Sequence, residues 1–291
     1  LYPVFTDSSM SGAAWAEATY RQYDSLVGGI SFHVWNGRSI INAERFAEEI
    51  REARRIIRTY DTDNDTAEAI VIDQTNLNPG SAVSPFAANG FEAALWWGAV
   101  AATCLNTGDV TAVNWFTVVD DPHHRKGLTR IENDEVVIKP VAYAMRFMTT
   151  HVRDSVLRVA STHPDLHVLA TVDSAHDRVS LCAVNAGDRH ISAQVRLTLP
   201  GDMDGAFRAE QYYLPDGAEI ETMEGRPDVD GPGFTFSIEV PARTLSATEL
   251  YRKPTAITPT PPDAPVIVVA DPWPQPALST LNLALTIGKD A

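Results

Sequence analysis

The segment A-I-V-I-D-Q-T-N-L-N (69–78) runs from a short apolar strand into a polar cluster of Asp73, Gln74, Thr75 and Asn76. Carboxylates and amides gathered at one strand end suit the binding of sugar hydroxyls. Similar groups recur where three other apolar runs stop: Thr6 and Asp7; His33, Trp35 and Asn36; Asn114, Trp115, Thr117, Asp120 and Asp121. Aromatic faces stack on the C–H surfaces of a sugar while the amides and carboxylates hold its hydroxyls, so the set fits a carbohydrate. Trp35 and Trp115 also read as ordinary core aromatics, and His33 as a satisfied core histidine. Those readings stay open on pattern alone.

Other chemistries find less support. His123 and His124 stand beside Asp120 and Asp121, but neighbouring side chains on one loop seldom converge on a metal. The acidic run D-T-D-N-D-T (61–66) lacks the glycine and the terminal glutamate of a calcium loop and reads as a solvated turn. No Gly-rich phosphate loop and no G-x-S-x-G motif occurs, so neither a nucleotide cofactor nor a serine hydrolase is expected. The expectation is no metal and no cofactor. A net charge of −15 argues against nucleic acid, because phosphate contacts need clustered Lys and Arg. No run of about 18 apolar residues and no Lys-rich amphipathic stretch points to a membrane. The two cysteines, Cys104 and Cys182, lie in apolar runs and read as buried free thiols.

Elements must position these groups. Residues 1–150 alternate short apolar runs with helical patterns: strands at 2–5, 28–35, 68–74 and 110–119, and helices at 11–26, 41–60, 91–105 and from 139. The 41–60 helix is strongly amphipathic, with Phe46, Ile50, Ala53, Ile56 and Ile57 on one face. Ser11 and Asn42 read as N-caps, Asn106 and Gly108 as a C-terminal stop, and Pro140 as a first-turn proline. Strands alternating with helices predict parallel βαβ units. Four units are half of a (β/α)8 barrel, and half a barrel leaves two sheet edges open. A small open doubly wound sheet is the alternative. The start, L-Y-P-V-F-T-D, has no signal-peptide pattern and reads as a cut end.

From about residue 154 the period becomes two, which predicts an antiparallel β-sandwich to about Tyr251. The expected organisation is a half-barrel over 1–152, a sandwich over 153–252 and a Pro-rich tail over 253–291. Within the tail, 266–270 and 281–287 are apolar enough to pack on a neighbouring surface.

The chain also resembles a family. I-S-F-H-V-W (30–35) is similar to the sixth barrel strand of retaining glycoside hydrolases of the large (β/α)8 clan, especially families 39, 79 and 51. V-N-W-F-T-V-V-D-D (113–121), with K-G-L and K-P-V-A-Y-A-M-R-F-M after it, resembles their eighth strand and last helix. F-S-I-E-V-P-A-R-T-L-S-A-T-E-L-Y (236–251) resembles the strand closing their accessory β-domain. The likeness covers about residues 1–252 and implies an exo- or endo-acting glycosidase with a carbohydrate substrate. It implies an extracellular or periplasmic setting, with a cytoplasmic one still possible.

In these families the seventh strand ends in a motif like T-E-W-N whose Glu is the nucleophile. Register on the Asn places Gln74 at that position and Asp73 before it. An amide cannot attack an anomeric carbon. Three readings follow: a substitution that stops turnover, a natural alteration in which Asp73 or a carboxylate elsewhere works, and a binding or scaffold subunit without catalysis. Successive strand residues point to opposite faces, so Asp73 reaches the site only if the strand is bulged. The resemblance makes His33 a partner of the nucleophile side chain or of a sugar hydroxyl. It makes Trp115 a sugar platform, and Trp35, Asn76 and Asn114 pocket residues. The acid/base Glu of these families follows their fourth strand and has no match here. A second polypeptide supplying strands one to four is therefore the expected partner.

Overall fold

The computed structural model describes residues 4–5, 10–35, 43–62, 69–77, 90–121, 125–197, 207–215, 221–223, 228–229, 234–252 and 283–287. The first part runs β1 (Val4–Phe5), α1 (Met10–Tyr23), β2 (Gly29–Trp35), α2 (Ala43–Tyr60), β3 (Ala69–Asn76), α3 (Phe91–Thr107) and β4 (Val110–Trp115). A hairpin of β5 (Thr129–Glu132) and β6 (Glu135–Ile138) then leads to α4 (Pro140–His151). Strands β1 to β4 form one sheet in the order β1-β2-β3-β4, parallel throughout.

A sheet in sequential order, with a helix after each strand, places its crossovers on one side. The core agrees. Ile30, Phe32 and Val34 of β2 and Ile70 and Ile72 of β3 share one buried cluster with Ala16 and Tyr20 of α1. Phe46, Ile50, Ile56 and Ile57 of α2, Trp96 and Val100 of α3 and Val141 of α4 join the same cluster. The apolar face read from the sequence of α2 is the face it buries, with Ala43 added. Its arginines also act across elements: Arg55 binds Glu52 of its own helix and Glu17 of α1, and Arg54 reaches Asp109 ahead of β4. Gly108 ends α3 in the left-handed region at φ 70°, and Pro140 starts α4. Helix α1 begins at Met10, one residue before the expected cap Ser11, while Asn42 lies outside the described residues.

The second part is antiparallel but for one short pairing. It comprises β7 (Ser155–Leu157), β8 (Val159–Ala160), β9 (Leu166–Val172), β10 (Arg178–Asn185), β11 (Ile191–Leu197) and β12 (Phe207–Leu214). It continues with β13 (Glu221–Met223), β14 (Asp228–Val229), β15 (Phe234–Val240), β16 (Thr244–Arg252) and β17 (Leu283–Ile287). One sheet runs β13-β12-β16-β10-β9-β7, with β14 also on β12; the other runs β15-β11-β17-β8. Residues of both sheets, among them Leu181, Ala183, Val195 and Ile238, enclose a single core. The late strand β17 was not expected as part of this unit: it pairs antiparallel with β11 and parallel with β8.

The two parts meet through α3 and α4. Their outer faces, with Leu95, Phe147 and Met148, pack on Leu169, Cys182, Val184, Leu245 and Ala247 of the larger sheet. Gly98 permits the approach, since a Cβ there would lie 2.8 Å from Val184. Both cysteines are buried free thiols, and burial pushes each up to about 12. Among the described residues, no helix is long and apolar enough to cross a membrane.

Glu249 of β16 ties this junction together. It is wholly buried and binds His151 Nδ1, at the end of α4, at 2.7 Å. It also accepts from the guanidiniums of Arg153 and Arg178 and from the Tyr251 hydroxyl. Burial alone would raise its carboxyl, but the hydrogen bonds from His151, Arg178 and Tyr251 outweigh that and hold it at about 2. A carboxyl depressed in the folded state stabilises above its ordinary pKa of 4.5, and that contribution fades as pH falls from there toward about 2. Glu249→Gln leaves two guanidiniums without their anion and is expected to cost about 3 kcal/mol or more at neutral pH. Denaturant unfolding over a pH series measures this: the variant should show a flatter acid limb, and an unaltered one would refute the ion cluster's role.

Candidate functional site

The ladder between β2 and β3 is regular from Gly29↔Ala69 to Phe32↔Ile72, then resumes as His33↔Gln74, Val34↔Thr75 and Trp35↔Asn76. Asp73 has no ladder partner. On the other side the pairs are Ile72↔Val113 and Thr75↔Trp115, so Asp73 and Gln74 together oppose Asn114. Strand β3 is thus bulged against both neighbours at Asp73–Gln74, a device that re-aims side chains.

The bulge decides which side chains share a face. Phe32 and Val34 belong to the helix-side core, so His33 between them points to the opposite, open side. Gln74, level with His33, shares that side. So does Asp73, whose Oδ1 lies 3.2 Å from His33 Nε2. The His33 and Asp73 side chains are 20% and 26% exposed, enough for a ligand to reach them. The two atoms approach without a hydrogen bond's alignment, and Asp73 Oδ1 is buried and accepts no hydrogen bond. Thr75 returns to full burial, its hydroxyl donating to the Val34 carbonyl at 2.6 Å.

The rim is built by the chain after β4. The buried Lys126 sets its ammonium 4.5 Å from the Trp35 ring centre, and Phe116 meets that ring edge-on at 5.8 Å. Burial pushes the Lys126 ammonium pKa down, and Asp121 opposes that shift. The Lys126 carbonyl accepts from Trp115 Nε1 at 2.8 Å and from Asn76 Nδ2 at 3.0 Å. Asn76 Nδ2 also donates to the Phe116 carbonyl. Below this loop, Asp120 forms an ion pair with the buried Lys139 and accepts the Gly127 N–H at 2.7 Å. A Cβ on Gly127 would fall 2.4 Å from Asp120 N, so only glycine lets the loop fold back here.

The structure therefore brings His33, Asp73, Gln74 and Asn114 to one face, with Trp35 beside them under Lys126 and Phe116. It separates two expected residues from them. Trp115, expected as a sugar platform, lies on the helix side, its ring edge-on to Trp96 and Trp97 of α3 at 5.9 and 5.8 Å. The reason is register: β4 advances two residues where β3 advances three, which keeps Val113 and Trp115 on one side and Asn114 on the other. Asn76 is fully buried, and both N–H groups serve the Phe116 and Lys126 carbonyls, so it positions the rim. Lys126 and Phe116 were not among the expected site residues. Thr6, Asp7, Asn36, His123 and His124 lie outside the described residues. Among the described residues no group of His, Cys, Asp and Glu could hold a metal ion.

No family model and no curated protein matches the chain. Solved structures do. An α-L-arabinofuranosidase from Thermotoga maritima, in complex with arabinose, matches over 86% of this chain with TM-score 0.62 and 16% identity. A Paenibacillus polymyxa xyloglucanase of glycoside hydrolase family 44 matches over 81% with TM-score 0.59 and 12% identity. A Clostridium acetobutylicum xylanase of family 30 matches over 85% with TM-score 0.55 and 12% identity. The chain spans 57%, 51% and 55% of these proteins' lengths, respectively. At such identities the likeness is one of fold, and the fold shared is that of glycoside hydrolases.

Asn76→Asp tests the rim. It removes donors to two carbonyls and sets a buried carboxylate against them, which should cost about 3 kcal/mol. Denaturant titration reads the loss, and an unchanged midpoint would show that the loop is held by other contacts.

Proposed function

We propose that the chain is the C-terminal part of a retaining glycoside hydrolase. In this reading β1 to β4 are strands five to eight of a (β/α)8 barrel, and the two later sheets are its accessory β-sandwich. The observation that carries the reading is the bulged end of β3, which sets Asp73 and Gln74 beside His33 on the side of the sheet away from the helices. Active groups of (β/α)8 barrels sit at the C-terminal ends of the strands, and all these residues end strands.

The fold likeness to an arabinofuranosidase, a xyloglucanase and a xylanase supports a polymeric or aryl glycoside of plant or microbial origin as substrate. Gln74 then occupies the nucleophile position, and the acid/base comes from a polypeptide that supplies strands one to four. Retaining hydrolysis needs two carboxyl groups about 5 Å apart; that polypeptide would supply one of them and complete the sheet, while Gln74 leaves the nucleophile position without its carboxylate. An extracellular or periplasmic location fits such substrates. The amide at Gln74 favours a second reading, a carbohydrate-binding subunit on the same fold.

Aryl α-L-arabinofuranosides and β-D-xylosides, assayed with the chain joined to that polypeptide, separate the two. Gln74→Glu should raise hydrolysis at least about 100-fold, a difference of two factors of ten in barrier terms. Saturable binding without turnover in either form selects the binding subunit. Neither binding nor turnover would overturn both.

A further inference from the structure

A buried acceptor without a hydrogen bond calls for an explanation. Asp73 Oδ1 is such an atom, and it lies at the point where β3 is bulged against both neighbours. An Asp–His pair that served only to lock two strands would align its hydrogen bond. Here Nε2 and Oδ1 approach to 3.2 Å without that alignment. Gln74 contributes size and an amide beside it but no charge. The two side chains together offer what one glutamate would: an anion and a hydrogen-bonding group on one patch of strand.

We propose that Asp73 supplies the negative charge of the site, facing the ring-oxygen and anomeric region of a bound sugar, while Gln74 holds a neighbouring hydroxyl. The proposal rests on the sugar-site reading above. Its chemistry is electrostatic: an oxocarbenium-like sugar carries positive charge at that region, and a fixed, half-buried carboxylate stabilises it without forming a bond. His33 positions the carboxylate. The ligand class is therefore a glycosyl group that becomes cationic at its ring, or a compound that already is.

Protonated imino-sugars of arabino and xylo configuration, compared with their uncharged lactams, read this charge without turnover. Calorimetry on the protein assembled as in the preceding assay should show the cation bound at least about 30-fold more tightly than the lactam, as expected for close opposite charges in a partly buried site. Asp73→Asn should lower that ratio at least about tenfold while lactam affinity persists, and Asp73→Glu, which keeps the charge, should preserve it. A merely structural Asp73 would shift both affinities together. An undiminished ratio in Asp73→Asn, or equal affinities in the unaltered protein, would overturn the proposal and leave the sugar site standing. If neither compound bound the unaltered protein, the sugar site itself would fall, and this proposal with it.

Discussion

A parallel sheet is ordinarily covered on both faces, and in this molecule the four described α-helices all serve one. Ile30, Phe32, Val34, Ile70 and Ile72 share their core with α1 to α4, so packing on that face accounts for the first part's stability. The opposite face carries Ser31, Val71 and Ala112 and, toward the strand ends, His33, Trp35, Asp73, Gln74 and Asn114, a set richer in polar groups than the helix side. The division of labour follows from alternation along the strands: one side of each strand packs on the described helices, and the other carries the candidate site. Beyond the helices, the larger antiparallel sheet uses a face for α3 and α4 and its other face for the second sheet. The Glu249 cluster fixes the orientation of α4 in that stack.

The bulge in β3 converts this scaffold into a site. Without it, strict alternation would send one of Asp73 and Gln74 toward the helices, where a carboxylate or amide would need a partner in an apolar layer. With the extra residue, both stay on the open side and Thr75 resumes the buried register. The same irregularity determines β4, where Asn114 replaces Trp115 on the open face. The loop after β4 then closes over Trp35 because three of its contacts converge on the Lys126 carbonyl: Trp115 Nε1, Asn76 Nδ2 and the Thr117 N–H.

Much of the scaffold was legible in the sequence. The 3.6-residue spacing of Phe46, Ile50, Ala53, Ile56 and Ile57 names the buried face of α2, and Gly108 and Pro140 mark helix ends by backbone chemistry that depends on one residue. The gathering of His33, Asp73, Gln74 and Asn114 was legible as a set of strand ends. The side on which each residue falls was not, because a bulge leaves no composition signal and one extra residue reverses everything after it. Trp115 was misplaced for that reason. Lys126 and Phe116 were missed because their positions depend on loop contacts far apart in sequence. The β5–β6 hairpin had a readable signal, Asn133–Asp134 between the short segments T-R-I-E and E-V-V-I, and both turn residues adopt positive φ. Strand β17 joins its sheet across a long separation in sequence, beyond what local pattern specifies.

The proposed function depends on a sugar binding at the end of β3, on the side of the sheet away from the described helices. A crystal structure of the assembled protein with a sugar lactone addresses that directly. The account predicts the ring within hydrogen-bonding reach of Asp73 and Gln74, close to Asn114 and beside the rim formed by Trp35 and Lys126. A sugar bound elsewhere, or Asp73 and Gln74 both turned into the helix layer, would contradict it.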